Sequence, residues 1–178
     1  MNLIIRLLRI FLQSFFRTPL DFFGTSILSF RVIPTDLDLN LHMTNSRYFS
    51  LMDLGRLDLI LRSNGRGLVF KKKWQAVLGA SHIRFRRALN CFQKFELHSS
   101  IIGWDEKWFY IEQRLVSHGQ LAAVAIVKAL FINKKGSVPT QKVFSELKIV
   151  LEKERLTSAI RHWRMLSALF QGQFSIQK

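Results

Sequence analysis

Residues 45–63 constrain this chain more than any other stretch. Tyr48, Phe49, Leu51, Met52, Leu54, Leu57, Ile60 and Leu61 would place apolar side chains around nearly the whole circumference of a helix. A helix without a polar face cannot rest on a surface, so other elements must wrap it. The flanking sequence supplies the wrapping. Residues 26–32 read as a strand ahead of the helix, and four strand-like stretches follow it, over 75–88, 92–103, 107–117 and 120–133. Turn-forming residues separate them: Asn64 to Gly67 suits a helix C-cap, Trp104-Asp105-Glu106 divides two strands, and Lys134-Lys135-Gly136 closes the last. The stretch 120–133 is almost wholly apolar, as expected of a strand covered on both faces. One strand, a long helix and then four strands is an α+β order.

Chemistry concentrates just ahead of that helix. Asp36, Asp38, Asn40 and His42 occupy alternate positions, interleaved with Leu37, Leu39 and Leu41. If the segment is extended, its four polar side chains converge on one face while the leucines anchor the other. The opening Asp36-x-Asp38-x-Asn40 matches the start of an EF-hand loop, but the sixth and twelfth positions are Leu41 and Arg47 instead of glycine and glutamate. His42 has no second histidine or cysteine at ligand spacing, so no metal is expected. A purely structural alternative is a set of Asx turns, with Asn45 or Ser46 capping the helix.

The run Asp36-x-Asp38-x-Asn40-x-His42-Met43-x-Asn45-x-Arg47-Tyr48, followed by Met52-Asp53-x-Gly55-Arg56, resembles the hotdog-fold acyl-CoA thioesterases. Within them it is similar to the 4-hydroxybenzoyl-CoA-thioesterase-like branch and to a membrane-associated thioesterase-like subgroup. The resemblance covers about residues 27 to 135. It implies a hotdog fold with extra N- and C-terminal helices, no cofactor, and a homodimer or dimer of dimers that assembles sites across its interface. It also implies hydrolysis of an acyl-CoA or acyl-carrier-protein thioester, with Asp38 as base or nucleophile. Asn40 and His42 match the Asn-x-His pair of the plant acyl-carrier-protein thioesterases, where the asparagine positions the carbonyl or water and the histidine acts as base. Those enzymes carry an acid and a cysteine where this chain has Ala88 and Leu89, with Cys91 offset from the position. That departure keeps a non-catalytic acyl-binding or scaffold protein as the alternative. Asp36 is expected to serve the loop as a hydrogen bonder or cap, and Asp53 with Arg56 to form an i, i+3 ion pair.

Thioester hydrolysis needs a polarised carbonyl, and the amides of Met43-Thr44-Asn45, at the start of a buried helix, are expected to provide it, with Asn45 and Tyr48 as candidate substrate-binding residues. The net charge of +15 calls for an anionic partner. From Arg62 to Phe95 there are nine basic residues and no acid, and Arg84, Arg86 and Arg87 are the candidates to hold the phosphates of coenzyme A. No nucleic-acid recognition motif accompanies the charge, so nucleic acid is not an expected partner. One cysteine, Cys91, permits no internal disulfide and gives no sign of an oxidising compartment. Sixteen Phe against two Tyr points to a very apolar interior or a lipid-facing surface.

Such a surface is legible at the N-terminus. Asn2, Arg6, Arg9, Gln13 and Arg17 recur every three or four residues, gathering on one stripe and leaving a broad Leu/Ile/Phe face. Arg6 and Arg9 interrupt the apolar run well short of the ~20 residues that span a bilayer. Residues 1–16 are therefore expected to lie in a membrane interface on the cytoplasmic side, arginines toward the phosphates, and to be separable from the Asp38 loop. A helix folded back on the domain or on a second subunit is the alternative. The organisation expected is an amphipathic helix over 1–18, a hotdog domain over 19–140 and a helical extension over 141–178, its helix running over 143–170.

Overall fold

The computed structural model describes residues 2–150 together with Ile160, Arg161 and Trp163. An N-terminal helix α1 (Asn2–Phe16) precedes strand β1 (Ser26–Arg31), and the long helix α2 (Asn45–Arg62) leads through short α3 (Arg66–Phe70) to β2 (Gln75–Phe85). Then follow β3 (Lys94–Trp104), β4 (Phe109–Ser117), β5 (Gln120–Asn133), β6 (Gly136–Val138) and α4 (Thr140–Glu146). The sheet runs β1-β3-β4-β5-β2, antiparallel throughout, with β6 folding back onto β5. This is the hotdog arrangement expected from the order of elements.

The wrapping follows from the apolar circumference of α2. Tyr48, Leu51, Met52, Leu54 and Leu59 pack against Leu28, Leu97, Ile111, Leu115 and Val127 in one core. The helix lies so close to the sheet that a Cβ on Gly55 would sit 2.6 Å from Ser99 Oγ and 2.7 Å from Leu97 Cδ2. A second core holds much of the aromatic excess: Phe22, Trp104, Phe109, Phe131 and Phe144 meet largely edge to face.

Two turns fall where expected, and one helix does not. The helix stop lies in the expected turn over 64–67, made by Asn64 at φ 62°, after which the chain enters α3. Past Gly136, at φ 112°, the short β6 pairs with β5, and the sheet ends just before Pro139. A helix begins at Thr140 but closes at Glu146, and Lys148 adopts φ 57°, so the expected helix over 143–170 is not continuous. Most of that stretch lies outside the described residues, although Ile160 is buried and Trp163 meets Tyr110 edge to face, with centroids 5.9 Å apart.

The two sheet edges differ. Along β1, Arg17 donates to the Ile27 carbonyl (2.7 Å) and Arg6 to the Arg31 carbonyl (3.1 Å), so α1 runs beside this edge and covers it. Along β2 the outer edge is unpaired among the described residues, with Leu78 and Phe85 exposed.

Candidate active site

The segment between β1 and α2 is not extended. A 3-10 turn over Pro34–Asp36 breaks it, and residues 37–43 then fold into a small hairpin bridged at Leu37 and Met43. Asp36 therefore parts company with the other three polar residues. Its carboxylate is 0% exposed and lies 2.7 Å from Arg6 Nη2 and 3.0 Å from Arg47 Nε, while the Ile33 amide donates to it at 3.1 Å. Its carbonyl accepts from the Thr44 amide (3.0 Å), so Asp36 ties both ends of the loop to α1 and α2. The expectation of a loop hydrogen bonder holds; convergence of four polar side chains does not. Of the three leucines, Leu37 packs against the core as an anchor, whereas Leu39 and Leu41 are exposed and Leu41 sits at φ 62°.

Asp38 and His42 do meet. The amide of Asp38 donates to the His42 carbonyl (2.9 Å), and Asp38 Oδ1 lies 3.4 Å from His42 Nδ1. The same Oδ1 accepts from the Asn40 amide (2.9 Å), an Asx turn that orients the carboxylate. Both side chains stay open to solvent, Asp38 at 32% and His42 at 37% exposure, while the Asn40 side chain projects outward at the tip. The loop rests on the chain just past β2 through the Met43 amide to the Leu89 carbonyl (2.8 Å) and a bridge between His42 and Asn90.

Immediately after the loop, α2 begins with no side chain capping its first turn; the Thr44 carbonyl takes the Arg47 amide at 2.9 Å, and the Asn45 and Ser46 amides lead the helix without a side-chain cap. Asn45 is exposed there. Tyr48 is buried, its ring edge-on to Phe85 at 5.0 Å, and burial pushes its phenol up against the lesser opposing effect of a hydrogen bond with the Leu89 backbone. Because Phe85 ends β2 against Tyr48, the exposed Arg84, Arg86 and Arg87 stand on the strand end nearest the start of α2. The structure thus puts Asp38 and His42 in the loop leading into α2, and the exposed arginines at the end of β2 that Phe85 joins to Tyr48.

The expected Asp53–Arg56 ion pair forms, but as part of a buried latch around Gln113 that escaped the sequence reading. Arg56 is buried rather than spread on a helix surface: it pairs with Asp53 and donates to Gln113 Oε1 at 2.5 Å. Gln113 is 0% exposed and its amide donates to the Met52 carbonyl and to Ser99 Oγ, each at 2.9 Å. Burial lowers the guanidinium's affinity for its proton, and Asp53 counters that. The signal was present in β4, where Gln113 interrupts the inward row of Ile111 and Leu115.

A family model described as the thioesterase-like superfamily matches residues 32–163. Protein THEM6 of Danio rerio is 33% identical over 166 residues, covering 90% of this chain and 80% of that protein. Thioesterase poxG of Penicillium oxalicum is 32% identical over 117 residues, covering 58% of this chain and 39% of the fungal protein. The structure of YbaW, a probable thioesterase from Escherichia coli, matches with a TM-score of 0.63 at 19% identity, over 68% of this chain and 94% of that one. SAV2348 from Staphylococcus aureus, solved in complex with CoA, matches with a TM-score of 0.58 at 20% identity, over 74% of this chain and 84% of that one. The likeness to these structures is one of fold.

Proposed function

Because the chain belongs to the thioesterase-like superfamily and is a thioester hydrolase, we propose that its substrate is a fatty or aromatic acyl-CoA and that Asp38 carries the reaction. The observation behind this reading is the placement of a half-exposed carboxylate, oriented by the Asn40 amide and flanked by His42, at the open N-terminus of α2. As a base, Asp38 takes a proton from water while the oxygen attacks the thioester carbon. The carbonyl oxygen, gaining negative charge, is stabilised by the α2 amides. The C–S bond then breaks, the sulfur leaves with a proton as the CoA thiol, and the acyl group departs as a carboxylic acid. As a nucleophile, Asp38 instead forms an acyl anhydride that water hydrolyses to the same products. His42 is placed to share the proton with Asp38, and Asn40 to hold water or the carbonyl. Arg84, Arg86 and Arg87 suit the phosphates of coenzyme A, the molecule that the SAV2348 neighbour holds.

The β2 edge, unpaired among the described residues, supports a homodimer, because an exposed strand carrying Leu78 and Phe85 is a template for pairing with a second copy. The partner copy would enclose a loop that is open in one chain. The orientation of α1 supports attachment to a membrane interface. Arg6 of α1 and, just past its end, Arg17 turn inward while Ile5 is 63% and Phe16 90% exposed, with Ile4, Leu8, Leu12 and Phe15 beside them. No helix among the described residues is long and apolar enough to cross a bilayer.

Turnover of a panel of acyl-CoAs and acyl-carrier-protein thioesters by the purified full chain tests the substrate reading. Release of free CoA thiol from one acyl class is expected. Turnover confined to carrier-protein thioesters would reassign the arginine cluster.

A further inference from the structure

We propose that the groove between α1 and β1 is a binding site for the phosphate of a membrane phospholipid. The groove, of about 710 Å³, is walled by Arg6, Arg9, Arg17, Arg31 and Lys94 around apolar Ile27, and no acidic side chain among the described residues lines it. Two of its cations are already committed, Arg6 to Asp36 and Arg17 to Asp58. The others, Arg9, Arg31 and Lys94, are exposed. Arg31 and Lys94 face each other directly across the β1–β3 pair, a like-charge juxtaposition that destabilises a sheet unless an anion lies between. Arg6 adds an independent sign, because its Nη1 is buried with no hydrogen-bond partner among the described residues. A site rich in guanidinium donors and devoid of carboxylates suits a phosphate.

The source of the phosphate follows from where the groove opens. On a helix turning about 100° per residue, Arg9 falls between the groove-facing Arg6 and Gln13 and the outward Ile5, Leu12 and Phe16. A lipid whose acyl chains lie along those three side chains carries its phosphate to the mouth of the groove at Arg9. This inference rests on the membrane placement of α1 and specifies what the placed helix holds.

The test uses the full chain and phosphatidylcholine vesicles with and without phosphatidylglycerol. At least ~tenfold tighter binding to the anionic vesicles is expected from three cations near the surface. Combined Arg9→Gln, Arg31→Gln and Lys94→Gln should abolish that gain without lowering the melting temperature. Combined Lys134→Gln, Lys135→Gln and Lys142→Gln, which removes equal charge from exposed positions, should keep it. Equal losses in the two triple variants would overturn the site in favour of diffuse attraction, and a lowered melting temperature in the first would make the three cations structural. Dihexanoylphosphatidylglycerol, soluble and monomeric, should bind the full chain and not the groove variant. If it does so while neither vesicle binds, the groove stands and the membrane placement of α1 falls. Competition by inorganic phosphate beyond a chloride control of equal ionic strength would overturn the lipid assignment.

Discussion

Asp36 and Asp38 are two residues apart and chemically identical, yet the fold gives them opposite tasks. Asp36 is sealed from water between Arg6 and Arg47, whereas Asp38 keeps a third of its surface open and turns toward His42. Removing a buried charge partner costs about 3–5 kcal/mol, so Asp36→Ala should lower the urea-unfolding free energy by that order, while Asp38→Ala should change it by less than ~0.5 kcal/mol. Equal losses would contradict the division. The family resemblance separated their roles, but the means was not local: the distinction is made by Arg6, thirty positions upstream, and by the 3-10 turn that breaks the alternation. Tyr48 permits a test by pH. Its phenol ionises above the ordinary value when folded, so the unfolded state gives up its proton first; the stability this group contributes is present below about pH 10 and is lost as pH rises through the folded value. Between about pH 9 and about pH 11, the urea midpoint of the parent should fall further than that of Tyr48→Phe. Parallel falls would show that burial does not shift this phenol.

At the scale of elements, the central helix, the strand before it and the four after it were all legible, because apolar circumference and strand alternation are local properties of sequence. The short β6 and α3 were not, since three to five residues carry too little periodicity to stand out from a turn. The least legible element was α1. Its stripe of arginines and its apolar face were plain in the sequence, but the stripe faces the domain and serves as counter-charge. Arg6 reaches Asp36, and Arg17 reaches Asp58, which also binds Arg62 at 3.1 Å and Ser26 Oγ at 2.6 Å. Separability from the loop is therefore replaced by dependence on α1. Deleting residues 2–17 should strip both buried carboxylates of a partner, lower the melting temperature and depress turnover of soluble acyl-CoA together. A truncated chain with the parent's melting temperature and kcat would show that α1 is only an anchor. The contact of α2 with the sheet makes a second element-scale prediction: Gly55→Val, overpacking against Leu97 and Ser99, should destabilise by about 1–3 kcal/mol in urea unfolding.

Across the whole molecule, the acidic loop leads into the central helix, α1 runs beside one edge of the sheet, and the outer edge of β2 is unpaired among the described residues. The chemistry of the loop was readable because its residue types are unusual beside an apolar helix. Its exposure was not, because that is set by the turn at Pro34–Asp36 and by distant packing. A dimer by light scattering at micromolar concentration without detergent is expected from the β2 edge, and a monomer would remove the partner copy as the loop's cover. The central claim is that thioester hydrolysis runs through Asp38. Its most direct test is the kcat of Asp38→Asn against the parent on the best acyl-CoA, with thermal unfolding measured on the same samples. The account predicts a fall of at least ~100-fold at an unchanged melting temperature; a variant that turns over like the parent would contradict it and move the chemistry away from this carboxylate.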